Sequence, residues 1–206
     1  MITEADARVL EPGSSVVLVA GGHVTPLALD TLRDRRVVLV RDGADPDLES
    51  LAPVAVVRRV ALAGDHSSLA LKAALLLHLR GRGLSAQDLG TSSTDPVDYP
   101  DTAAAAALQV ARGEADAAIV IDGAGLGSAI AANKVPGARA AMCLNVTLAR
   151  YARQHNGANV LTLGATLVSR DEALEIVDTF LDTPMREPRY IRRLAKIRDL
   201  ETRPPR

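Results

Sequence analysis

Short apolar runs alternate with helical patterns from residue 58 to residue 201, and this alternation strongly constrains the fold. Five runs are typical of strands, because each is short, apolar and bounded by turn-forming residues. They cover residues 58–63, 85–89, 117–121, 138–144 and 159–163. Parallel strands need crossover connections, which are usually helices. The sequence therefore predicts an α/β domain with a five-stranded parallel sheet and helices on both faces.

Start and stop signals mark the helices between these strands. Ser67-Ser68 offers hydroxyl caps to a helical pattern that ends at Gly81. Ser169 and Glu172 have the spacing of a capping box. The predicted helices cover about residues 69–80, 101–112, 128–133, 146–155, 170–181 and 188–201.

The first 57 residues follow a different pattern. Ser15 to Ala20 and Arg36 to Val40 are predicted strands, and Thr25-Pro26 opens a short helix between them. Residues 42–57 have the mixed composition of a linker. We therefore expect a small β-α-β appendage with its linker in residues 1–57 and the main domain in residues 58–206.

Composition and charge exclude several classes of protein. The formal net charge is −1 with both signs interspersed, so no nucleic-acid or membrane surface is expected. Cys143 is the only cysteine, which rules out an internal disulfide and a multi-cysteine zinc site, and its apolar strand predicts a core position. The polar start of the chain is unlike a signal peptide, so we expect a cytoplasmic protein.

The most informative segment is the loop from Asp122 to Gly127, which follows a predicted strand. Its three alternate glycines allow successive backbone amides to point at one site, and a helix N-terminus follows. Such a loop can hold a phosphate or an oxyanion. The alternative is a tight turn that needs glycine only for steric reasons. The spacing differs from the dinucleotide fingerprint, which argues against a nucleotide-binding protein.

Other candidates lie at strand and helix ends, where ligands bind in open parallel sheets. Asp65 either binds a ligand or caps the next helix. His155 either acts in catalysis or interacts with a helix dipole. Arg189 and Arg193 share one helix face, which suits either a phosphate or solvent.

Taken together, these segments resemble the ribose-5-phosphate isomerase B family, which includes galactose-6-phosphate and allose-6-phosphate isomerases. The resemblance covers about residues 58–201. It rests on Gly64-Asp65-His66, Asp98-Tyr99-Pro100, Gly113-Glu114-Ala115-Asp116, Gly123-Ala124-Gly125-Leu126-Gly127, Ile130-Ala131-Ala132-Asn133-Lys134-Val135, Gln154-His155-Asn156 and Ala158-Asn159-Val160.

The resemblance implies a Rossmann-like fold and an aldose–ketose isomerase that acts on a small sugar phosphate through a cis-enediolate. It also implies that no metal or other cofactor is used. The active sites would lie at the subunit interfaces of a homodimer or a dimer of dimers.

The resemblance also assigns roles to individual residues. Asp65 and His155 match the positions that open the sugar ring, and His66 and Tyr99 match residues that line the site. Asn156 matches a contact to a sugar hydroxyl. Arg189 and Arg193 match the phosphate-binding arginines. The anion hole for the enediolate matches the backbone of Gly123, Ala124, Gly125, Leu126 and Gly127.

Four positions depart from the family pattern. Asp122 occupies the position of the usual catalytic cysteine, and Ser128 that of a glutamate used in a second branch. Ala124 replaces a common threonine, and Thr166 stands where many relatives have arginine. If the protein is an enzyme, Asp122 is the candidate base, because a carboxylate can shuttle a proton. The alternative is a binding or scaffolding module with a decayed site.

The segment from His23 to Ala28, followed by Leu32-Arg33, resembles leader segments of enzymes in bacterial microcompartments. The resemblance implies that residues 1–57 recruit the protein to a shell or to a co-encapsulated enzyme. A location inside a microcompartment is then expected.

Overall fold

The computed structural model describes residues 1–19, 21–41 and 50–202. Contacts divide the chain into two compact units, Met1–Ser50 and Leu51–Arg206. Within the described residues, no helix has the length and apolar character needed to cross a membrane.

The described residues of the smaller unit form two parallel strands and two helices. Its elements are α1 (Glu4–Val9), β1 (Ser15–Leu18), α2 (Pro26–Asp34) and β2 (Val38–Arg41). Ser15 pairs with Val38 in a two-stranded parallel sheet, so the predicted β-α-β arrangement is present. Helix α1 was not predicted, although Thr3 and Asp6 form a capping box at its start. Ala20, the predicted end of the first strand, lies outside the described residues.

The larger unit alternates strands and helices as the sequence predicts. Its elements are β3 (Arg59–Gly64), α3 (Leu69–Gly81), β4 (Ser85–Asp88), α4 (Tyr99–Ala111), β5 (Ala117–Asp122), α5 (Leu126–Ala132), β6 (Ala140–Met142), α6 (Val146–Asn156), β7 (Val160–Gly164), α7 (Arg170–Asp182) and α8 (Pro188–Thr202). A 3-10 turn covers His66–Ser68. Helix α5 begins two residues earlier than predicted, so the glycine loop is shorter than the sequence suggested.

The five strands form one parallel sheet in the order β4-β3-β5-β7-β6, which confirms the predicted fold class. The chain proceeds from β3 outward to β4 and then crosses back to β5 on the other side of β3. The strand order therefore reverses between β3 and β5. In such sheets this reversal leaves a crevice at the carboxyl ends of the two strands, and ligands bind there.

Each face of the sheet has its own core, because alternate strand residues point to opposite faces. One face has large side chains, such as Leu62 and Ile119, which are grouped with Phe180 of α7 in one cluster. The other face has small side chains, such as Ala61 and Ala118, which are grouped with alanines of α4. Small residues on both surfaces let α4 approach the sheet closely. Cys143 is 1% exposed, which confirms the predicted core position.

Candidate active site at the switch point of the sheet

The glycine loop joins the end of β5 to the start of α5 and lies at the switch point. Gly125 has φ +75°, and a Cβ there would lie 2.9 Å from the backbone nitrogen of Gly164. Glycine is therefore sterically required at this position. The hydroxyls of Thr162 and Thr166 hold the loop by donating to the carbonyls of Gly125 and Gly123, each at 2.7 Å. The sequence showed only that Thr166 stands where many relatives have arginine, and its contact with the loop was not predicted.

The carboxylate of Asp122 lies inside this loop and caps it. One of its oxygens, Oδ1, accepts hydrogen bonds from the amides of Ala124, at 2.8 Å, and Gly125. Its other oxygen, Oδ2, accepts from the amide of Ser128 at 2.8 Å and from the Ser128 hydroxyl at 2.5 Å. Asp122 is 4% exposed and Ser128 is fully buried.

This geometry departs from the expectation that Asp122 faces a substrate as the base. A carboxylate has about four lone-pair positions, and all four are occupied here. The amides of Ala124 and Gly125, which were expected to form the anion hole, also donate to Asp122 rather than to a ligand. Burial beside three amides of a tight loop is the physical reason, because a carboxylate satisfies them better than solvent can.

Three amides of the loop region remain available to a ligand. Those of Gly123, Leu126 and Gly127 have no acceptor within the described residues. Leu126 is 58% exposed, so this part of the loop is open to solvent. A ligand could therefore accept hydrogen bonds from these three amides, whereas those of Ala124 and Gly125 are already engaged.

The segment after β3 brings a second carboxylate to the same crevice. Asp65 Oδ1 accepts from the Ser67 amide at 2.9 Å and from the Ser67 hydroxyl at 2.6 Å. Asp65 Oδ2 has no partner among the described residues. Asp65 thus caps the 3-10 turn and still offers one open oxygen, so its two predicted roles are compatible.

The two residues after Asp65 contact other segments of the chain. Ser67, which the sequence analysis missed, has its hydroxyl 3.9 Å from the position that a Cβ of Gly123 would occupy. His66 Nδ1 accepts from the amide of Val97 at 3.2 Å. That nitrogen therefore carries no hydrogen, and Nε2 is left as the donor of a neutral ring.

Tyr99 lies against the loop from the first turn of α4. A Cβ on Gly127 would lie 2.6 Å from two carbons of the Tyr99 ring. The ring is thus in direct contact with the loop, and Tyr99 is 41% exposed. Tyr99 therefore lies beside the glycine loop.

The remaining predicted residues form a second group. The His155 ring stacks on Tyr151 with centroids 4.7 Å apart, and Tyr190 lies 4.7 Å away on a tilted plane. The guanidinium groups of Arg189 and Arg193 lie 4.7 and 5.5 Å from the Tyr190 ring. Tyr190 therefore joins His155 to both arginines. Sequence reasoning missed both tyrosines, since their rings meet His155 only in the folded chain.

Asn156 belongs to this second group but lies on the surface beside a cavity. The cavity has a volume of about 380 Å³ and lies between α8 and the edge of the sheet. It is lined by Asn133, Ala138, Arg139, Ala140, Ala141, Asn156, Ala158, Ile197, Leu200 and Glu201. The cavity lies at the edge opposite the glycine loop, so it is separate from the crevice.

The two groups lie at opposite edges of the sheet within one chain. His155 precedes the amino end of β7, whereas the loop lies at the carboxyl end of β5, level with the last residue of β7. The five residues of β7 span about 16 Å at 3.3 Å per residue. His155 and the glycine loop of one chain are therefore too far apart to act on the same atom.

The fold and the crevice define a class of protein: a doubly wound α/β protein with an amide-lined, carboxylate-flanked site at the switch point. Among the described residues, no group of three or more His, Cys, Asp or Glu could hold a metal ion. The Ribose/Galactose Isomerase family model matches residues 60–197. The chain belongs to this family.

Individual relatives agree with this assignment. The chain is 40% identical over 147 residues to ribose-5-phosphate isomerase B of Escherichia coli, covering 71% of this chain and 99% of that protein. It superimposes on ribose-5-phosphate isomerase B of Clostridium thermocellum with TM-score 0.68 and 45% identity, covering 69% and 97%. The Mycoplasma genitalium enzyme with bound ribulose-5-phosphate gives TM-score 0.69 and 37% identity, covering 72% and 99%.

Proposed function

We propose that the protein is an aldose–ketose isomerase that interconverts a small sugar phosphate such as ribose 5-phosphate with its ketose. The observation that carries the proposal is the open amide and carboxylate groups at the switch point of a chain in this family. Relatives with about 40% identity over nearly their whole length are named isomerases, which favours an enzyme over a decayed binding module.

The reaction needs a proton acceptor and a site for a negative charge. A base removes the proton from C2 of the open-chain aldose, and the electrons form an enediolate whose oxygen carries the charge. The hydroxyl proton of O2 passes to O1, and the base returns its proton to C1, so that C2 becomes the carbonyl carbon of the ketose. The free amides of Gly123, Leu126 and Gly127 would hold the enediolate oxygen.

Asp65 is better suited than Asp122 to carry this proton. Its Oδ2 is open, whereas both oxygens of Asp122 are engaged by loop donors. Ser67 donates two hydrogen bonds to Oδ1 and holds the carboxylate in one orientation. We assign proton transfer to Asp65 and loop capping to Asp122. The Nε2–H of His66 and the hydroxyl of Tyr99 would bind the sugar.

We propose further that the protein acts as a homodimer, alone or paired into a dimer of dimers. His155 of the partner subunit would open the sugar ring, Asn156 of the partner subunit would bind a sugar hydroxyl, and Arg189 and Arg193 of the partner subunit would bind the phosphate. The distance between the two groups within one chain supports this arrangement. Exposed apolar side chains also support it, namely Leu126 and Ile130 on α5 and Leu148 and Tyr151 on α6.

The smaller unit would recruit the enzyme to a microcompartment shell or to an enzyme enclosed with it. Exposed apolar side chains of this unit, Val9, Val17 and Leu27, offer contact surface for such a partner. Co-purification of the full chain with shell proteins tests this role. Equal co-purification of a chain that lacks only the smaller unit, residues 1–50, would contradict it.

The decisive experiment is an isomerisation assay across tetrose, pentose and hexose phosphates with wild type, Asp65→Asn and Asp122→Asn. Asp65→Asn keeps the oxygen that accepts from Ser67 and loses the charge, so we expect the unfolding free energy to fall by only about 1–2 kcal/mol and kcat to fall by about 10²- to 10⁴-fold. Full turnover by Asp65→Asn would remove Asp65 as the proton carrier. Tight binding of sugar phosphates without any wild-type turnover would support a binding module instead.

A further inference from the structure

Two arginines, the buried Arg153 and the partly buried Arg139, bind backbone carbonyls from two separate parts of the larger unit. One part is the segment 51–54, which we call the strap. Arg139 Nη2 donates to the carbonyl of Leu51 at 2.9 Å, and Arg153 Nη2 donates to the carbonyl of Val54 at 3.1 Å. The strap precedes the first strand of the sheet and is irregular.

The other part is the corner Gly157–Ala158, directly after His155 and Asn156. Arg139 Nε donates to the carbonyl of Gly157 at 2.7 Å, and Arg153 Nη1 donates to the carbonyl of Ala158 at 2.9 Å. Each guanidinium group therefore bridges the strap and the corner. Such forked donors are suited to hold two chain segments at a defined separation.

The energetic cost of burying these charges makes the four carbonyls important. Arg153 is 1% exposed and forms no ion pair within the described residues, whereas Arg139 is partly buried and is stabilised by the nearby charge of Glu201. Burial, together with the nearby charge of Arg139, lowers the pKa of Arg153 to about 10, so the group is still charged at neutral pH. A buried charge without its partners is strongly destabilising. The strap and the corner are thus held together by groups that need both.

The corner also contacts the tail helix that carries the predicted phosphate-binding arginines. A Cβ on Gly157 would lie 2.7 Å from a methyl carbon of Leu194 and 3.1 Å from the sulfur of Met185. Gly157 has φ +57° and ends α6, the helix that carries His155. A shift of this corner would therefore displace His155 relative to Arg193.

We infer that Arg139 and Arg153 are positioning residues, which use the strap to fix the corner behind His155 and Asn156. The inference rests on the proposed function, because His155 has a catalytic role only there. It goes beyond that function in making residues 51–54 part of the active-site support. The strap thus acts on the site through the two arginines without contacting substrate.

Four variants of the full-length chain test this inference. Arg139→Lys and Arg153→Lys keep the charge but cannot hold two carbonyls in the same fork. Pro53→Gly loosens the strap and leaves both arginines intact. Arg80→Met is the control, since Arg80 is an exposed arginine on α3 whose side chain forms no hydrogen bond or ion pair with the described residues.

Two measurements separate positioning from stability and from the proposed function itself. The first is the NMR signal of the His155 imidazole, which can be assigned because the chain has only 4 histidines. The second is kcat and KM for the best sugar phosphate. We expect the two lysine variants and Pro53→Gly to shift the His155 signal and Arg80→Met to leave it unchanged. We expect kcat to fall about 10- to 100-fold in the lysine variants, and by less in Pro53→Gly, with little change in KM.

Each possible result has a defined meaning. An unchanged His155 signal in folded Arg139→Lys and Arg153→Lys would overturn the inference. A shift in both lysine variants but none in Pro53→Gly would overturn the role of the strap. If the wild type has no isomerase activity, the proposed function fails, whereas the His155 signal still tests the structural coupling.

Discussion

The hydrogen bonds of Asp122 predict that Asp122→Asn mainly lowers stability. Asparagine keeps one acceptor oxygen and places an NH₂ group where the other oxygen was. If that group replaces Oδ2, the buried amide of Ser128 faces a donor and loses its partner, although the Ser128 hydroxyl can rotate to accept. The loss of the charge also weakens the bonds to the remaining oxygen.

The expected magnitude follows from these bonds. A buried donor without a partner costs about 1–3 kcal/mol, and hydrogen bonds to a charged group exceed neutral ones by about 1 kcal/mol. The free energy of unfolding of Asp122→Asn should therefore fall by about 2–5 kcal/mol. For a domain of this size, Tm should fall by about 5–15 °C.

Thermal and urea denaturation followed by circular dichroism measure this loss. Asp101→Asn is the control, because Asp101 is an exposed acid in the first turn of α4 and should change stability by less than about 1 kcal/mol. An unchanged Tm in Asp122→Asn together with an activity loss above about 100-fold would refute our reasoning. That result would return Asp122 to the role of base.

Three further predictions follow from individual contacts. Partial burial by itself raises the pKa of Asp116, but hydrogen bonds from the Arg59 guanidinium and from the amides of Arg58 and Arg59 lower it overall. Asp116→Asn should therefore destabilise the protein by about 1–3 kcal/mol at pH 7. The difference should shrink as the pH falls below about 4, because the wild type then loses the same stabilisation. Parallel curves of unfolding free energy against pH for the two proteins would contradict this. Burial raises the pKa of the Cys143 thiol to about 12, so a thiol reagent at pH 8 should label the protein only after unfolding, and rapid labelling of the native state would exclude the core position. Gly125→Ala, which combines φ +75° with a clash against the backbone of Gly164, should lower the unfolding free energy by more than about 1 kcal/mol, whereas Gly81→Ala, with open space around its Cβ, should not.

Local patterns were sufficient to predict most of the secondary structure. The strand β5 is buried along its whole length, and its continuous apolar residues identified it directly. Helix α7 begins at the capping box that its sequence shows. Helix α1 was missed, because its six residues bury only Ala7 and so show no apolar period. Strand order needed the tertiary structure, since apolar content does not specify a strand's neighbours.

The candidate site was predicted in part. The residue types at the switch point, including Asp65 and Tyr99, could be named from strand ends and from the resemblance. The contacts of Ser67 and Tyr190 could not, because each depends on where two separate segments meet. The strap was assigned to the appendage because no sequence pattern shows that its carbonyls bind arginines about 90 residues away.

The sequence by itself determined the α/β alternation, the glycine loop and the family, since these depend on local periodicity and on motifs of adjacent residues. Only the tertiary structure decided that the carboxylate of Asp122 accepts hydrogen bonds from loop amides that were expected to bind the substrate. It also decided that His155 and the loop lie at opposite edges of the sheet. The physical reason is that a hydrogen bond depends on distances of a few tenths of an ångström and on the direction of the donor, and the folded backbone sets both.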